Sequence, residues 1–413
     1  MPDNKWLPFW GNFYVTIAFI GFSALWYSKA VVSVCTALLA LSFLANVFRL
    51  NLTNYKGLFI GAIVLLLPTV TDLFISGFQG EIVHKIGLIS GFVACLLAGT
   101  WLLGFSKINL TYYGLVIGLI VMIINVLAVA NYFQNKDTID ALLLQSKSIP
   151  IPYAMHHIHF GVINGISVLL LIGILLNYLT DRKFKIITTL ILVVIVMSMH
   201  ILSSRTGLVS LYVAVLASVC YYVLKTKRYK VLLISVIAFL TIGLGTYMLS
   251  NSFRNKVQNS VEDVHSWGLQ NEMNHKSMAM RIEGYKAAAY TIKHNPLGVG
   301  VNNLDRKMEQ GYNAIHSPLW SENRKRPHNQ FLEYGVSFGW LGMLAIVYFV
   351  VVLFKFAQQR QYTYFGFMVL LLVAFQFESL LERQTSLYFL GIFIPLFIHL
   401  FTSEKVKAYG VSV

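Results

Sequence analysis

Charge is what this sequence lacks most. Only 12% of its 413 residues are Asp, Glu, Lys or Arg, about half the share of a soluble domain. Its apolar runs also lack the alternating polar face that soluble helices carry. Both features exclude a large soluble helical protein. Cysteine is scarce as well: Cys35, Cys95 and Cys220 all fall inside apolar runs. Thiols so placed behave as small apolar residues, and no disulfide framework is expected. The N-terminus, MPDNKWLPFWG, lacks the pattern of a cleavable signal peptide, so the first apolar run is expected to act as its own insertion signal. No Walker motif, dinucleotide fingerprint or HExxH pattern occurs, which leaves nucleotide-driven and zinc-protease chemistry without support.

What is present is apolar: 57% of the residues are hydrophobic. Runs of about 18 residues or more recur along the chain, long enough for a helix to cross about 30 Å of hydrocarbon. The expected spans are 9–27, 30–48, 57–77, 84–104, 108–131, 155–178, 184–202, 206–224, 230–250, 328–354, 362–379 and 385–402. The fold class is therefore all-α, a polytopic membrane protein with about 12 transmembrane helices. Three parts follow: 1–250 with spans one to nine, 251–327 as a polar, partly helical loop, and 328–413 with spans ten to twelve and a tail.

The net charge of +15 does not mark a nucleic-acid binder, because the cations sit in short clusters between apolar runs. That distribution orients a membrane protein. With the N-terminus inside, the inner loops hold Arg49, Lys56, Lys107, Arg182, Lys183, Lys185, Lys225, Lys227, Arg228, Lys230, Lys355 and Arg360, and the tail holds Lys405 and Lys407. The short outer turns hold only Lys29, Lys85, Lys136, Lys147, Arg205 and Arg383. This excess places both termini in the cytoplasm and 251–327 outside. The long loop's eleven Lys and Arg do not count against it, since long loops escape the rule. A second outer segment, about 132–154, includes IPIP at 149–152. No internal repeat is visible, unlike the two-half plan of many transporters.

Inside the long loop, Met278, Ile282, Tyr285, Ala289 and Ile292 recur at helical spacing, which predicts an amphipathic helix. The run His294-Asn295-Pro296-Leu297-Gly298 ends it. Pro327 suits the first turn of span ten, which puts His328 at its outer mouth.

Several residues could carry chemistry, and each has a plainer reading. Arg205, in Ser203-Ser204-Arg205-Thr206-Gly207, is either a functional cation at membrane depth or a snorkelling helix-end residue. Arg281 is either a site residue or part of a solvated helix face. His328 is either a site residue or a polar residue at a helix mouth, and Arg324, Lys325 and Arg326 before it either add positive potential or anchor the membrane surface. His156 and His159 share a helix face, but no carboxylate or cysteine accompanies them at ligand spacing, so no metal site is expected. Asp72, Glu378 and Glu382 belong either to a proton relay or to pairs with Arg. Ten of the eleven histidines map to the outer half, which favours an outward-facing site.

The chain resembles the bacterial O-antigen ligase and O-antigen polymerase superfamily. The residues that carry the resemblance are Ser204-Arg205-Thr206-Gly207, then Arg281 ahead of Tyr285-Lys286-Ala287-Ala288 and His294-Asn295-Pro296-Leu297-Gly298-Val299-Gly300. They end with His328-Asn329-Gln330-Phe331-Leu332-Glu333-Tyr334-Gly335 and Gly339-Trp340-Leu341-Gly342. The match covers about 200–345; the first six spans match only in hydropathy. The resemblance implies a GT-C-like membrane glycosyltransferase of the bacterial inner membrane, working on its periplasmic side without metal or other cofactor. Its donor would be a polyprenyl-diphosphate-linked glycan. Its acceptor would be lipid A-core for a ligase or a second lipid-linked glycan for a polymerase. By the same resemblance Arg205 and Arg281 would bind diphosphate and His328 would activate the acceptor hydroxyl. Arg is a permanently charged fork for phosphate, and His is a proton acceptor near neutral pH. A transporter or flippase of lipid-linked sugars, or a structural scaffold, are the rival classes.

Overall fold

In a computed structural model, residues 6–49, 55–78, 80–144, 149–151, 155–249, 251–268, 273–274, 276–356 and 362–402 are described. Lys147, Arg360, Lys405 and Lys407, which entered the charge count, lie outside them, as does the end of the IPIP run.

The described residues form helices and no strand. In chain order these are α1 (Leu7–Ala24), α2 (Lys29–Asn46), α3 (Lys56–Ser76), α4 (Gly80–Leu102), α5 (Leu110–Gln134), α6 (Lys136–Leu144), α7 (His157–Asn177) and α8 (Arg182–Ile201). Then come α9 (Arg205–Thr226), α10 (Tyr229–Leu249), α11 (Asn251–Gly268), α12 (Ser277–His294), α13 (Leu304–Ala314), α14 (Gln330–Lys355), α15 (Tyr362–Phe377) and α16 (Gln384–Phe401). Eleven of them, all but α6, α11, α12, α13 and α15, are long and apolar enough to cross a membrane. The eleventh expected span is present as the shorter α15, of 16 residues. The protein is an all-α polytopic membrane protein.

Helix α7 is the centre of the bundle. It packs against α5, α8, α9, α15 and α16, and nearly all of its side chains are buried. Close crossings depend on glycine here: a Cβ on Gly207 would strike the Gly161 carbonyl, and one on Gly161 would strike Ser204. The Gly in the Ser204–Gly207 motif therefore seats the start of α9 against α7. At the other extreme, α10 has no buried residue among those that qualify it as a span. An apolar helix facing lipid needs no other cover.

The polar loop holds more structure than its periodicity predicts. The expected helix is α12, but two more, α11 and α13, flank it. The buried face of α12 shares only Ile292 with the apolar stripe. It consists of Ala279, Glu283, Gly284, Ala287, Ala288, Thr291 and Ile292, whereas Ala289 is exposed and Met278, Ile282 and Tyr285 are only partly buried. Small residues decide it: they let α13 approach so closely that a Cβ on Gly311 would meet the Ala287 carbonyl at 2.8 Å. The larger residues of the expected stripe turn elsewhere, Met278 to a cavity and Tyr285 to the Gln376 carbonyl at 2.6 Å.

Helix α14 starts two residues later than expected. Pro327 precedes it, and Asn329 is its N-cap, accepting from Phe331 N and Leu332 N at 3.0 and 3.1 Å. This is the usual service of a capping Asn, which satisfies two of the free N–H groups of the first turn. The helix breaks at Gly339, whose φ of 67° is left-handed. The break leaves backbone groups without helical partners, and the turn after α12 supplies them. Val299 N and Gly300 N donate to the carbonyls of Val336 and Ser337 at 3.0 and 2.9 Å, and Trp340 N donates to Pro296 O at 3.0 Å. A Cβ on Gly339 would collide with the Pro296 carbonyl. Two motifs forty residues apart thus form one joint between the loop and the bundle.

Candidate active site

Arg205, Arg281 and His328 line one cavity of about 1360 Å³. The distribution of cations among the loops puts them on one side of the membrane; the structure brings all three to the same space. Helices α9, α11 and α12 and the segment ahead of α14 form its walls. Much of the lining is apolar, including Ile151, Phe160, Leu208, Val209, Val257 and Phe377. The charged lining is one-sided: Arg205, Arg281, Lys325 and Arg326, with no Asp or Glu among the described residues on the wall. Such a cavity focuses positive potential and suits an anionic ligand.

Arg205 begins α9 directly after its N-cap Ser204, and Ser203 before that sits at a φ of 49°. Its guanidinium donates from Nη1 to Ser260 Oγ on α11 at 2.7 Å. Behind Ser260 lies Asp263, 2% exposed, whose Oδ2 accepts from Met278 N at 3.0 Å. Burial pushes the Asp263 carboxyl above its ordinary range, against the pull of the Met278 N–H and the Arg205 charge. Asp263 thus ties α11 to the start of α12, and so fixes the wall between the two arginines.

His328 stands just outside α14 with a φ of 47°, a conformation that non-glycine residues seldom hold. Its Nδ1 faces Glu378 Oε1 at 3.4 Å. Glu378 follows α15, is 3% exposed, and has no partner for Oε2 among the described residues. A carboxylate facing Nδ1 favours the tautomer in which Nδ1–H donates and Nε2 carries the lone pair. Glu378, for which the sequence leaves a proton relay or an Arg partner open, faces an imidazole instead. His156 also lines the cavity and lies within electrostatic reach of Glu378, His328 and Arg281. Burial lowers the His156 basicity below the ordinary imidazole value. His156 and His159 have ring centroids 5.5 Å apart, but His159 Nε2 is directed to Ser386 at 3.4 Å. Among the described residues no group of three or more His, Cys, Asp and Glu could hold a metal.

The other two acids have structural partners. Lys85 Nζ donates to both Glu382 carboxylate oxygens at 2.6 Å, in preference to the adjacent Arg383. Asp72 accepts from Val301 N at 2.8 Å and from Ser76 at 2.6 Å, which holds the turn after α12 onto α3.

The fold and site together define a helical membrane bundle with a cation-lined, apolar-walled cavity beside its polar loop. Residues 190–347 match the family model described as O-antigen ligase. That match supports a relationship to the O-antigen ligase superfamily. An uncharacterized protein of Haemophilus influenzae is 26% identical over 205 residues, 48% of this chain. The chain spans about half the length of that curated relative, 50%. The matched region contains Arg205, Arg281 and His328, and also the joint between the Pro296–Gly300 turn and Gly339.

Proposed function

We propose that this protein transfers a glycan from a polyprenyl-diphosphate carrier to an acceptor hydroxyl at the periplasmic face of the bacterial inner membrane. One observation carries the reading: two arginines and a histidine that faces a carboxylate line one cavity, with no acid among the described residues on its wall. Arg205 and Arg281 receive the diphosphate. The apolar wall accommodates the start of the polyprenyl chain. His328 Nε2 accepts the proton of the acceptor hydroxyl while its oxygen attacks the anomeric carbon. The bond from that carbon to the diphosphate oxygen breaks, and the diphosphate leaves with the electron pair. Its growing charge is what the guanidinium groups stabilise, and donors already aimed at such charge are the strongest catalytic device of this kind. The leaving group is acidic enough to depart without a proton, so no second acid is required of the site. In this reading no metal takes part, and the loop 251–327 is the cover of the site.

The reaction is ligation when the acceptor is lipid A-core and polymerisation when it is another lipid-linked glycan. Ligation is our first assignment. Purified protein in lipid nanodiscs, given labelled polyprenyl-diphosphate-linked glycan and each acceptor in turn, tests it. The expected result is a new glycosidic bond to lipid A-core. Product only on a second lipid-linked glycan reassigns the protein as a polymerase. Movement of donor across proteoliposomes with no new bond to either acceptor contradicts the proposal in favour of a transporter.

A further inference from the structure

The three consecutive cations before His328 have different tasks. Arg324 is committed to α13: it pairs with Glu309, donates to Asn313 Oδ1 at 2.6 Å and to Leu319 O at 2.9 Å, and lies over the Tyr312 ring. Arg326 is committed as well. It holds Asp305 bidentately at 2.6 and 2.8 Å and has Glu333 and Glu81 at 3.6 and 3.7 Å. Lys325 has neither an ion pair nor a side-chain hydrogen bond among the described residues, is exposed, and lines the cavity. Its own carbonyl accepts from Tyr312 OH at 2.8 Å, so its backbone is fixed although its ammonium is unspent.

Charge matching gives that ammonium a ligand. A diphosphate joined to a lipid and a sugar carries two negative charges, and Arg205 with Arg281 supplies two positive ones. Lys325 is surplus to the donor. It stands on the same non-helical stretch as the base, three residues ahead of it, or at most roughly 10 Å along an extended chain. In a displacement at the anomeric carbon, the base side is the acceptor side and the diphosphate side is opposite.

We propose that Lys325 is an acceptor-binding residue, which receives an anionic group, phosphate or carboxylate, borne by the acceptor saccharide near the hydroxyl that His328 deprotonates. The inference rests on the transferase reading above and narrows its acceptor to an anionic glycan. A cation at an exposed rim contributes mainly to selection among ligands. Arg324 and Arg326 bracket Lys325 and hold it at the cavity mouth.

The test is direct binding to the full chain in nanodiscs preloaded with undecaprenyl diphosphate. Three probes are compared by saturation-transfer NMR: mannose 6-phosphate, glucuronate and mannose. We expect an anionic probe to bind at least about tenfold more tightly than mannose, a preference of about 1.4 kcal/mol. Lys325→Ala should abolish that preference, and Lys325→Arg should retain it. Preference for mannose 6-phosphate over glucuronate assigns the group as phosphate, and the reverse as carboxylate. Equal binding of all three probes, or a preference that survives Lys325→Ala, overturns the proposal. So does an anionic probe that binds only when undecaprenyl diphosphate is absent, because it then merely occupies the donor subsite. Loss of undecaprenyl diphosphate binding in Arg205→Ala is a separate readout and bears on the transferase reading alone.

Discussion

His328 occupies a backbone conformation that costs of order 1–3 kcal/mol and persists only where its surroundings impose it. Those surroundings are Pro327 before it, the Asn329 cap after it and Glu378 against its ring. The Glu378 contact is the one that sequence could not supply, because the two residues are 50 positions apart and no local pattern links them. His328, Arg205 and Arg281 were legible as candidates from residue type, sidedness and resemblance. Which of the three cations before His328 is unspent was not, since it depends on where Glu309 and Asp305 fall on α13. If Glu378 orients the imidazole, Glu378→Gln should slow glycan transfer by at least about tenfold with donor affinity unchanged, and Glu378→Asp should restore part of the rate. An equal rate in Glu378→Gln, measured with purified protein, removes that role.

At the scale of elements, the spans were legible because lipid demands long apolar helices whose backbone groups are satisfied internally. The α14 break was not. It is a helix interruption inside a continuous apolar run, visible in sequence only as Gly339. Its cost is met by a partner elsewhere, the turn at Pro296–Gly300 that donates to the freed carbonyls. The buried face of α12 is hidden in the sequence for a related reason. Periodicity weighs large apolar residues, whereas a tight helix contact selects small ones, here Ala287, Ala288 and Gly311. Gly339→Ala adds a Cβ at positive φ and drives it into Pro296 O. The expected outcome is a destabilisation of more than about 1 kcal/mol, seen as a lower melting temperature in detergent. An unchanged melting temperature contradicts the view that this joint needs glycine.

Across the whole molecule, the polar loop and the bundle are fastened around the cavity rather than merely joined by chain. Asp72 with Val301 N, Gln376 O with Tyr285 OH and Arg205 with Ser260 join the bundle to the loop. Removing one partner of a buried pair such as Lys85 and Glu382 strands the other charge, which explains why such pairs persist where burial is costly. The central claim is that one cavity divides its labour, arginines for the diphosphate and His328 for the proton. The most direct measurement is transfer rate and undecaprenyl diphosphate affinity in the same nanodisc preparations of wild type, His328→Ala and Arg205→Ala. The account predicts that His328→Ala loses at least about a hundredfold in transfer while keeping donor affinity, and that Arg205→Ala loses donor affinity itself. Transfer at the wild-type rate by His328→Ala, or wild-type affinity in Arg205→Ala, would contradict it.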